Sequence, residues 1–571
     1  MRKISMQQLG YVLFISMAIT ACTENIEQQV LVSADTTDRC SELSKISLPH
    51  TVVTRAELVA AGEFVARYAE PWGKVETYNL PAFCRVQAVA APTDDSHIKI
   101  EVWMPAQDWN GRYHQFARAG AAGYIFYTEL AQRLKEGNAV ATTDTGHVGY
   151  GPNWDWAAEH PEKIIDFGYR AHKETSDTAK ALVAQFYARK PDYNYFSGCA
   201  GGGTSGLISA QRYPDDWDGI LVGSAAANWT RYIAYTDWRR LMQRQNPQGH
   251  IESSKLPAIQ RAARASCTAD AHVVEGISAD PRFCRFDPIN LLCIREETDE
   301  CLTAPQVDAL RRLYDGPIDP ITGARLYLGL APTMEAVGKH TAETKALIEK
   351  LTEKVISLEV EKPVWVTGGN SWGYDFAAEI VKSFVFNNPE WDITNVKLDE
   401  VWSIFENKWV AGESLADVLN AHVDWEAFSK TNTKMIMHYG WASRRVNPEL
   451  GIEYYNKALD QIGDTEKTQD FLRLFMVPGM GSCYKGPGVN AFGQINVATP
   501  ALQDNSDHNI YRALETWVET GVAPDKIVAT KYVHDKPELG VAFTRPLCVY
   551  PQVPVYNGTG DIKKSSSFQC K

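Results

Sequence analysis

The sequence has no excess of positive charge. Its 571 residues include 57 lysines and arginines against 70 aspartates and glutamates, which gives a net charge of −13. Proteins that bind nucleic acid neutralise phosphates with a basic surface, so this balance argues against nucleic acid as a partner. The chain also contains no internal repeat and no low-complexity segment, which argues against a solenoid or a fibrous protein.

Long apolar runs are scarce as well. Arg2 and Lys3 precede an apolar stretch at residues 9–19, which is too short to span a bilayer, and the small-residue run Ile19-Thr20-Ala21-Cys22 follows. We therefore expect a signal peptide over residues 1–21. The run resembles a bacterial lipobox, which implies that Cys22 is lipidated and is the first mature residue. A plain secretory signal with an incidental cysteine is the alternative.

The predicted location follows from this start. Residues 22–40 are polar and rich in Thr, Ser and Asp, as in a tether between a lipid and a folded domain. Thr23, rather than an aspartate, follows Cys22, and in lipoproteins of this kind that favours the outer membrane. We expect a bacterial cell-envelope protein of the outer membrane or periplasm that contacts the membrane only through its N-terminal lipid.

Cysteine usage agrees with export. Eleven cysteines minus Cys22 leave ten, an even number that suits disulfide pairing in an oxidising compartment. The spacing of these ten residues permits many different pairings, so the sequence by itself does not select one.

The pattern of apolar residues predicts an α/β protein. With 44% hydrophobic and 22% charged residues the composition is that of a globular protein, and its length favours one large domain with an insertion. Strand-like runs alternate with helix-like periodicity, which indicates a mostly parallel sheet flanked by helices. We place the α/β domain at residues 41–227 and 422–571 and an inserted lid domain at 228–421. The predicted elements are strands at Ile98–Met104, Arg112–Phe116, Ala139–Thr143, Lys434–His438 and Leu472–Val477, and helices at His172–Arg189, Thr204–Arg212 and Asn509–Thr520.

One turn has the build of a nucleophile elbow. A predicted strand ends in Gly198-Cys199-Ala200-Gly201-Gly202-Gly203, and a helix follows. A sharp, glycine-rich strand-to-helix turn is what presents a catalytic serine in α/β-hydrolases. Here Ala200 occupies the position of the nucleophile.

The elbow and two further turns resemble the tannase/feruloyl esterase family of α/β-hydrolases. That family's elbow reads Gly-Cys-Ser-x-Gly-Gly, its acid lies in Gly-Trp-Ala-Asp and its base in Pro-Gly-Met-x-His-Cys. The corresponding turns here are Gly440-Trp441-Ala442-Ser443 and Pro478-Gly479-Met480-Gly481-Ser482-Cys483. Further matches, in the same order, occur at residues 143–147, 166–170, 210–214, 517–524 and 545–551, so the resemblance covers nearly the whole mature chain.

The resemblance implies an α/β-hydrolase fold with a large lid, and a set of disulfides. The implied pairs are Cys40–Cys84, Cys199–Cys483, Cys267–Cys284, Cys293–Cys301 and Cys548–Cys570. The pair Cys199–Cys483 would join the elbow to the turn that carries the base.

The same resemblance implies that the catalytic triad is degenerate. Ala200, Ser443 and Ser482 occupy the positions of the nucleophile, the acid and the base. Alanine has no attacking atom, serine does not take up a proton near neutral pH, and a neutral hydroxyl does not stabilise an imidazolium. No replacement set is visible: we interpret His438, within a predicted strand, as a core histidine with its hydrogen bonds satisfied.

Other parts of the site need no triad. By resemblance, an oxyanion hole uses the backbone N–H groups of Gly201 and of the glycine turn at Gly120. His147 and Arg444 are candidate pocket residues, the first in a Thr-Asp-Thr-Gly-His turn and the second directly after Ser443. The alternatives are a structural histidine and a solvated arginine.

A calcium loop of the family is eroded in this sequence. The span from Cys267 to Cys284 keeps its length, but Thr268 and Ala271 replace expected carboxylates, which leaves Asp270 and Glu275. Calcium takes six to eight oxygen ligands, so we expect no metal and no other cofactor.

Three functions remain open at this stage. The first is a pseudoenzyme that binds an aromatic or ester-like small molecule in the old cleft, and the 16 Trp and 25 Tyr suit such a ligand unless they are ordinary core residues. The second is an enzyme with chemistry that needs no nucleophile, supported by the oxyanion hole. The third is a residual carboxylic-ester hydrolase.

Overall fold

The computed structural model describes most of the chain. It covers residues 34–66, 79–117, 123–149, 154–319, 322–332, 371–392, 396–397, 400, 402–443, 445–494 and 499–571. The signal peptide, Cys22, most of the tether, Gly120 and Arg444 lie outside these ranges, so the predictions made for them stay predictions. Within these ranges no helix combines the length and the apolar character needed to cross a bilayer.

The strands, numbered in chain order, begin with a long run of core strands and end with short hairpins. They are β1 (Thr51–Val59), β2 (Phe83–Ala90), β3 (Ile98–Pro105), β4 (Arg112–Ala117), β5 (Ala139–Thr143), β6 (Tyr193–Cys199), β7 (Gly219–Gly223), β8 (Trp409–Val410), β9 (Glu413–Ser414), β10 (Lys434–Gly440), β11 (Leu472–Val477), β12 (Lys526–Tyr532), β13 (Val541–Cys548), β14 (Pro554–Tyr556) and β15 (Phe568–Cys570).

Nine of these strands form one sheet in the order β1-β2-β3-β5-β4-β6-β7-β10-β11. The pairs β1–β2, β2–β3 and β3–β5 are antiparallel. The remaining neighbours in this order, from β5 through β4, β6, β7 and β10 to β11, pair in parallel. Every residue of β5 and of β7 is buried, which is typical of parallel strands covered on both faces by helices. The predicted α/β class with a mostly parallel sheet is therefore confirmed.

The helices lie between and after these strands. They are α1 (Ala34–Glu42), α2 (Tyr127–Lys135), α3 (Pro161–Ile165), α4 (Ala171–Tyr187), α5 (Gly201–Arg212), α6 (Trp229–Gln245), α7 (Leu256–Ala265), α8 (Ala304–Asp315), α9 (Ser371–Ile380), α10 (Ser403–Glu406), α11 (Leu415–Leu419), α12 (Trp425–Phe428), α13 (Glu449–Ile462), α14 (Thr465–Gln469) and α15 (Ile510–Thr520). The segment that we predicted as a lid, 228–421, falls between β7 and β10 and contains α6 to α11 and the hairpin β8–β9. Its exact bounds stay a prediction.

Helix α4 shows how the spacing of apolar residues in the sequence packs a helix against the sheet. Ala179, Leu182, Val183 and Phe186 are buried, and their spacing places them on one face of the helix. The helix ends at Tyr187 because Ala188 adopts a left-handed conformation, with φ 56°. The prediction of a helix to Arg189 was therefore two residues too long.

Ten cysteines form five disulfides, and the pairs are the five that the resemblance implied. Cys199 ends β6 and Cys483 follows β11, and their Cα atoms lie 6.4 Å apart. This bond holds the elbow turn against the loop that carries Ser482.

Candidate functional site

The elbow is built on a strained backbone. Ala200 lies between β6 and α5 with φ 53° and ψ −114°, a conformation that favours glycine. Its N–H donates to the carbonyl of Gly223 at 2.8 Å, and its carbonyl accepts from the N–H of Thr204 at 3.0 Å. A non-glycine residue held in this way costs on the order of 1–3 kcal/mol. The strained backbone of a strand-to-helix elbow is thus present at Ala200.

Glycines around Ala200 allow the backbones to touch. A Cβ at Gly198 would lie 2.0 Å from the carbonyl oxygen of Gly202, and one at Gly203 would lie 2.5 Å from that of Gly223. Any side chain at either position would push helix α5 away from the sheet. These glycines therefore fix the helix start at the carboxyl ends of β6 and β7.

The two serines expected at the acid and base positions meet. Their hydroxyl oxygens lie 2.8 Å apart, and the Ser443 hydroxyl also donates to the carbonyl of Val446 at 2.7 Å. Because Ser443 has a single hydroxyl proton, which this bond uses, Ser482 is the donor in the Ser443–Ser482 pair. Ser443 is buried and Ser482 is partly buried.

Further contacts tie the three turns together. Besides the Cys199–Cys483 disulfide, the Ser224 hydroxyl donates to the carbonyl of Ser482, and the N–H of Ser224 donates to the carbonyl of His438 at 2.8 Å. The turns that carry Ala200, Ser443 and Ser482 are consequently held at one end of the sheet. The hydroxyls of Thr204 and Ser205 bond to carbonyls of their own helix, to Ala200 and to Gly201.

The predicted pocket residue His147 is buried in an aromatic cluster. Its ring stacks on Trp156 with centroids 3.9 Å apart and planes inclined by 15°, and its Nδ1 lies 3.3 Å from the Thr145 hydroxyl. Neighbouring rings of the cluster are Trp154, Phe167, Trp229 and Phe384. The cluster joins the turn after β5 to helix α6, and a ligand-binding role for His147 stays a prediction.

Asp144 is a buried acid that the sequence analysis did not single out. Its Oδ1 accepts from the N–H groups of Lys99 at 2.9 Å and Gly146 at 3.0 Å. Desolvation raises the pKa of this carboxyl to about 7, although both backbone bonds oppose the shift. Asp144 thus holds the turn that leads to His147. An aspartate two residues before a glycine directly after a strand was the signal for such a turn.

His438 is not the satisfied core histidine that we expected. It is fully buried in β10, but neither ring nitrogen has a hydrogen-bond partner. A Cβ at Gly223 would lie 2.7 Å from its Nε2, so the ring packs directly on the backbone of β7. Desolvation lowers the pKa of His438 to about 3, and the ring is neutral at physiological pH.

The residues of the eroded loop do not fit a calcium ion. The carboxylate of Glu275 lies 3.0 Å from the guanidinium of Arg545, and Asp270 is exposed to solvent. Within the described ranges no three His, Cys, Asp or Glu side chains are grouped to hold a metal. The Cys267–Cys284 disulfide instead closes this loop.

The comparisons with known proteins agree with this geometry. A sequence model of the family described as "Tannase and feruloyl esterase" matches residues 84–571. An uncharacterized esterase of Xanthomonas campestris is 39% identical over 559 residues, covering 95% of this chain and 92% of that protein. A probable feruloyl esterase of Arthroderma benhamiae is 27% identical over 485 residues, covering 83% and 82%.

A solved structure shows the same fold. Feruloyl esterase B from Aspergillus oryzae aligns with a TM-score of 0.78 at 23% identity, covering 94% of this chain and all of that one. Tannin acyl hydrolase from Aspergillus niger aligns with a TM-score of 0.68 at 19% identity, over 93% and 95% of the two chains. The chain belongs to the tannase and feruloyl esterase family and has its α/β-hydrolase fold.

The strain at Ala200 predicts a stabilising substitution. Ala200→Gly should raise the free energy of unfolding by about 1 kcal/mol, because glycine relieves the backbone strain and loses only part of the gain to its greater freedom when unfolded. Chemical denaturation measures the change. Ala→Gly at the buried helical position Ala210 is the control and should destabilise. A lower free energy of unfolding for Ala200→Gly would show that the backbone at Ala200 is not strained.

Chelation tests the loop at Asp270 and Glu275. We expect EDTA to leave the melting temperature unchanged within about 1 °C, because a ligand that does not bind the native state contributes nothing to its stability. The measurement is a thermal melt with and without EDTA and with added calcium. A large drop that calcium reverses would show that backbone carbonyls complete a site.

Proposed function

We propose that this chain is a non-hydrolytic member of its family, which binds an aromatic or ester-like small molecule in the cleft at the elbow. The single observation that carries the proposal is the hydroxyl pair of Ser443 and Ser482 beside an elbow that presents Ala200. Both hydroxyls are neutral, and the proton of Ser443 is already committed to the carbonyl of Val446. Ester hydrolysis by a serine mechanism has neither a nucleophile nor a base here.

The pair of Ser443 and Ser482 also contains no carboxylate that could orient a base and stabilise its protonated form. In a working triad a carboxylate holds the imidazole and stabilises its positive charge. The hydroxyl of Ser443 contributes a dipole but no charge. His438 does not replace the missing base, because it lies inside the sheet and burial lowers its pKa. The residues that would supply proton transfer are thus absent from these positions in the sequence.

Backbone donors and an aromatic ring near the elbow support the proposed binding of a ligand. Helix α5 begins at Gly201, and the first N–H groups of a helix have no partner within it, so they are available to a carbonyl or carboxylate oxygen. The elbow backbone keeps its strained form, which holds these donors in place. The ring of Trp156, which stacks on the buried His147, is only partly buried, and a flat apolar surface of this kind favours an aromatic ligand. The relative from Arthroderma benhamiae is a probable feruloyl esterase, and a feruloyl ester is an aromatic ligand of this kind.

Export to the bacterial cell envelope with a lipid anchor at Cys22 is part of the proposal. Five disulfides in one chain favour an oxidising compartment. The N-terminal run ending in Cys22 supports lipidation. Metabolic labelling with a clickable fatty acid, with Cys22→Ser as the control, examines this part separately.

Restoring the triad tests the absence of hydrolysis. The native protein and Ala200→Ser should not cleave methyl ferulate, methyl gallate or p-nitrophenyl esters above a blank, because a serine without a base keeps its proton. The variant Ala200→Ser/Ser443→Asp/Ser482→His should exceed the single variant by on the order of tenfold or more, since a complete triad is worth far more than its parts.

Three results would count against this part of the proposal. Clear turnover by the native protein would favour a residual esterase if acid is released. Conversion of the substrate without hydrolysis would favour an enzyme whose chemistry needs no nucleophile. A correctly folded but inactive triple variant would contradict the assignment of the three positions.

Filling the cleft floor tests ligand binding. Ala200→Leu should abolish the binding of methyl ferulate, measured by calorimetry, at a stability cost of about 1–3 kcal/mol for overpacking. Ala188→Leu is a matched control, because Ala188 also has a positive φ (56°) but is exposed at the end of α4. Unchanged binding by the Ala200→Leu variant would place the ligand elsewhere.

A further inference from the structure

Helix α6 contains a buried arginine without a counter-charge. Arg239 is only 3% exposed. Among the described residues, no acidic side chain lies within ion-pair distance of its guanidinium. Within the described ranges, its Nε and Nη1 have no hydrogen-bond partner. Buried charged groups in proteins are normally paired, and no described acid is paired with this guanidinium.

Two buried tyrosines beside Arg239 also have polar atoms without a hydrogen-bond partner among the described residues. Tyr235 and Tyr327 are 2% and 6% exposed, and neither hydroxyl has a hydrogen-bond partner in the part of the chain that the structure describes. Their rings stack with centroids 4.8 Å apart, and the guanidinium carbon of Arg239 lies 4.8 Å from the Tyr235 centroid. Desolvation raises the pKa of both hydroxyls, so both are protonated and available as donors.

The contact of Arg239 with Tyr235 does not satisfy the guanidinium. A cation over an aromatic face is attracted by the ring, but the N–H groups lie in the guanidinium plane and still need acceptors. Glu453 is the acid whose charge acts on Tyr327, and it forms no ion pair with Arg239. Among the described residues, the neighbourhood thus combines one guanidinium that has no ion pair with two hydroxyls that have no hydrogen-bond partner.

We propose that Arg239, Tyr235 and Tyr327 form a binding site for the carboxylate of a small aromatic acid. A carboxylate accepts up to four hydrogen bonds, donates none and neutralises the buried charge, so it complements this group of donors. Trp238 stacks on Tyr235 with centroids 5.9 Å apart and planes inclined by 16°, so the surroundings of the guanidinium are aromatic, which favours an aromatic acid. None of these residues belongs to the three turns of the elbow.

The segments that carry this group are connected to the end of the sheet at which the elbow lies. Helix α6 begins six residues after β7, and the segment that carries Tyr327 is bonded through the carbonyl of Gly329 to the side chain of Asn447, four residues after Ser443. The proposal does not rest on the proposed function, because it concerns a charged group that neither the elbow nor the serine pair provides.

Calorimetry with defined acids tests the site. The probes are benzoate and ferulate, with benzamide as an uncharged isostere of benzoate and inorganic phosphate as a second oxyanion. We expect at least one carboxylate to bind the native protein and benzamide not to bind detectably. Arg239→Met should weaken the carboxylate by about tenfold or more, because a charged hydrogen bond is lost. Arg231→Met is the control, since Arg231 lies on the same helix in an exposed pair with Glu406, and it should bind normally.

The tyrosines and the stability of the ligand-free protein give independent measurements. Tyr235→Phe and Tyr327→Phe keep both rings, so they should weaken the carboxylate severalfold and leave the fold intact; they also carry the test if Arg239→Met does not fold. Ligand-free Arg239→Met should melt at or above the native temperature, because it removes an uncompensated buried charge.

Several results would overturn the site. They are the binding of phosphate but no carboxylate, equal binding of benzoate and benzamide, and no effect of Arg239→Met on affinity. A strongly lowered melting temperature of ligand-free Arg239→Met, with binding kept, would show that Arg239 has a structural role instead. Ala200→Leu need not affect this binding, so the two sites fail or succeed separately.

Discussion

Close approach between the elbow backbone and the sheet is the constraint on which the rest of the site depends. Gly198 and Gly203 leave no room for a side chain, because the carbonyls of Gly202 and Gly223 occupy that space. The approach forces Ala200 into its strained conformation and fixes the start of α5. The first N–H groups of α5, which have no partner within the helix, are positioned by this approach.

The proposed absence of hydrolysis follows from the absence of charge at the positions of the two serines. An aspartate and a histidine in contact demand a charged or strongly polar environment, whereas two hydroxyls satisfy each other and one backbone carbonyl. Burying neutral, hydrogen-bonded groups costs little compared with burying a charge. The scaffold is thus able to keep its disulfide and its strained turn while the chemistry that they would align is absent.

Local chemistry made much of the fold predictable. The strands at Ala139–Thr143 and Leu472–Val477 have the bounds that their apolar runs indicated, because short buried strands between turn residues leave little ambiguity. The elbow was recognisable since only glycines permit so tight a turn. The antiparallel edge strands β1 and β2 were not predicted, because their pairing joins segments that no local pattern connects.

The site residues that sequence missed are those defined by three-dimensional partners. An arginine on a helix is usually solvated, and only the packing of α6 shows that Arg239 is buried without an acid. The unpartnered nitrogens of His438 arise in the same way, because the ring packs on Gly223 of a neighbouring strand. Asp144 was visible as a turn residue, but its burial depends on helices that pack over the sheet.

Covalent labelling tests the central claim most directly. A fluorophosphonate probe forms a stable adduct with a serine that is activated by a base, and intact-protein mass spectrometry measures the adduct. We predict that the native protein keeps its unmodified mass under conditions in which an active feruloyl esterase of the family is fully labelled. An adduct on the native protein, mapped to any serine near the elbow, would contradict the account.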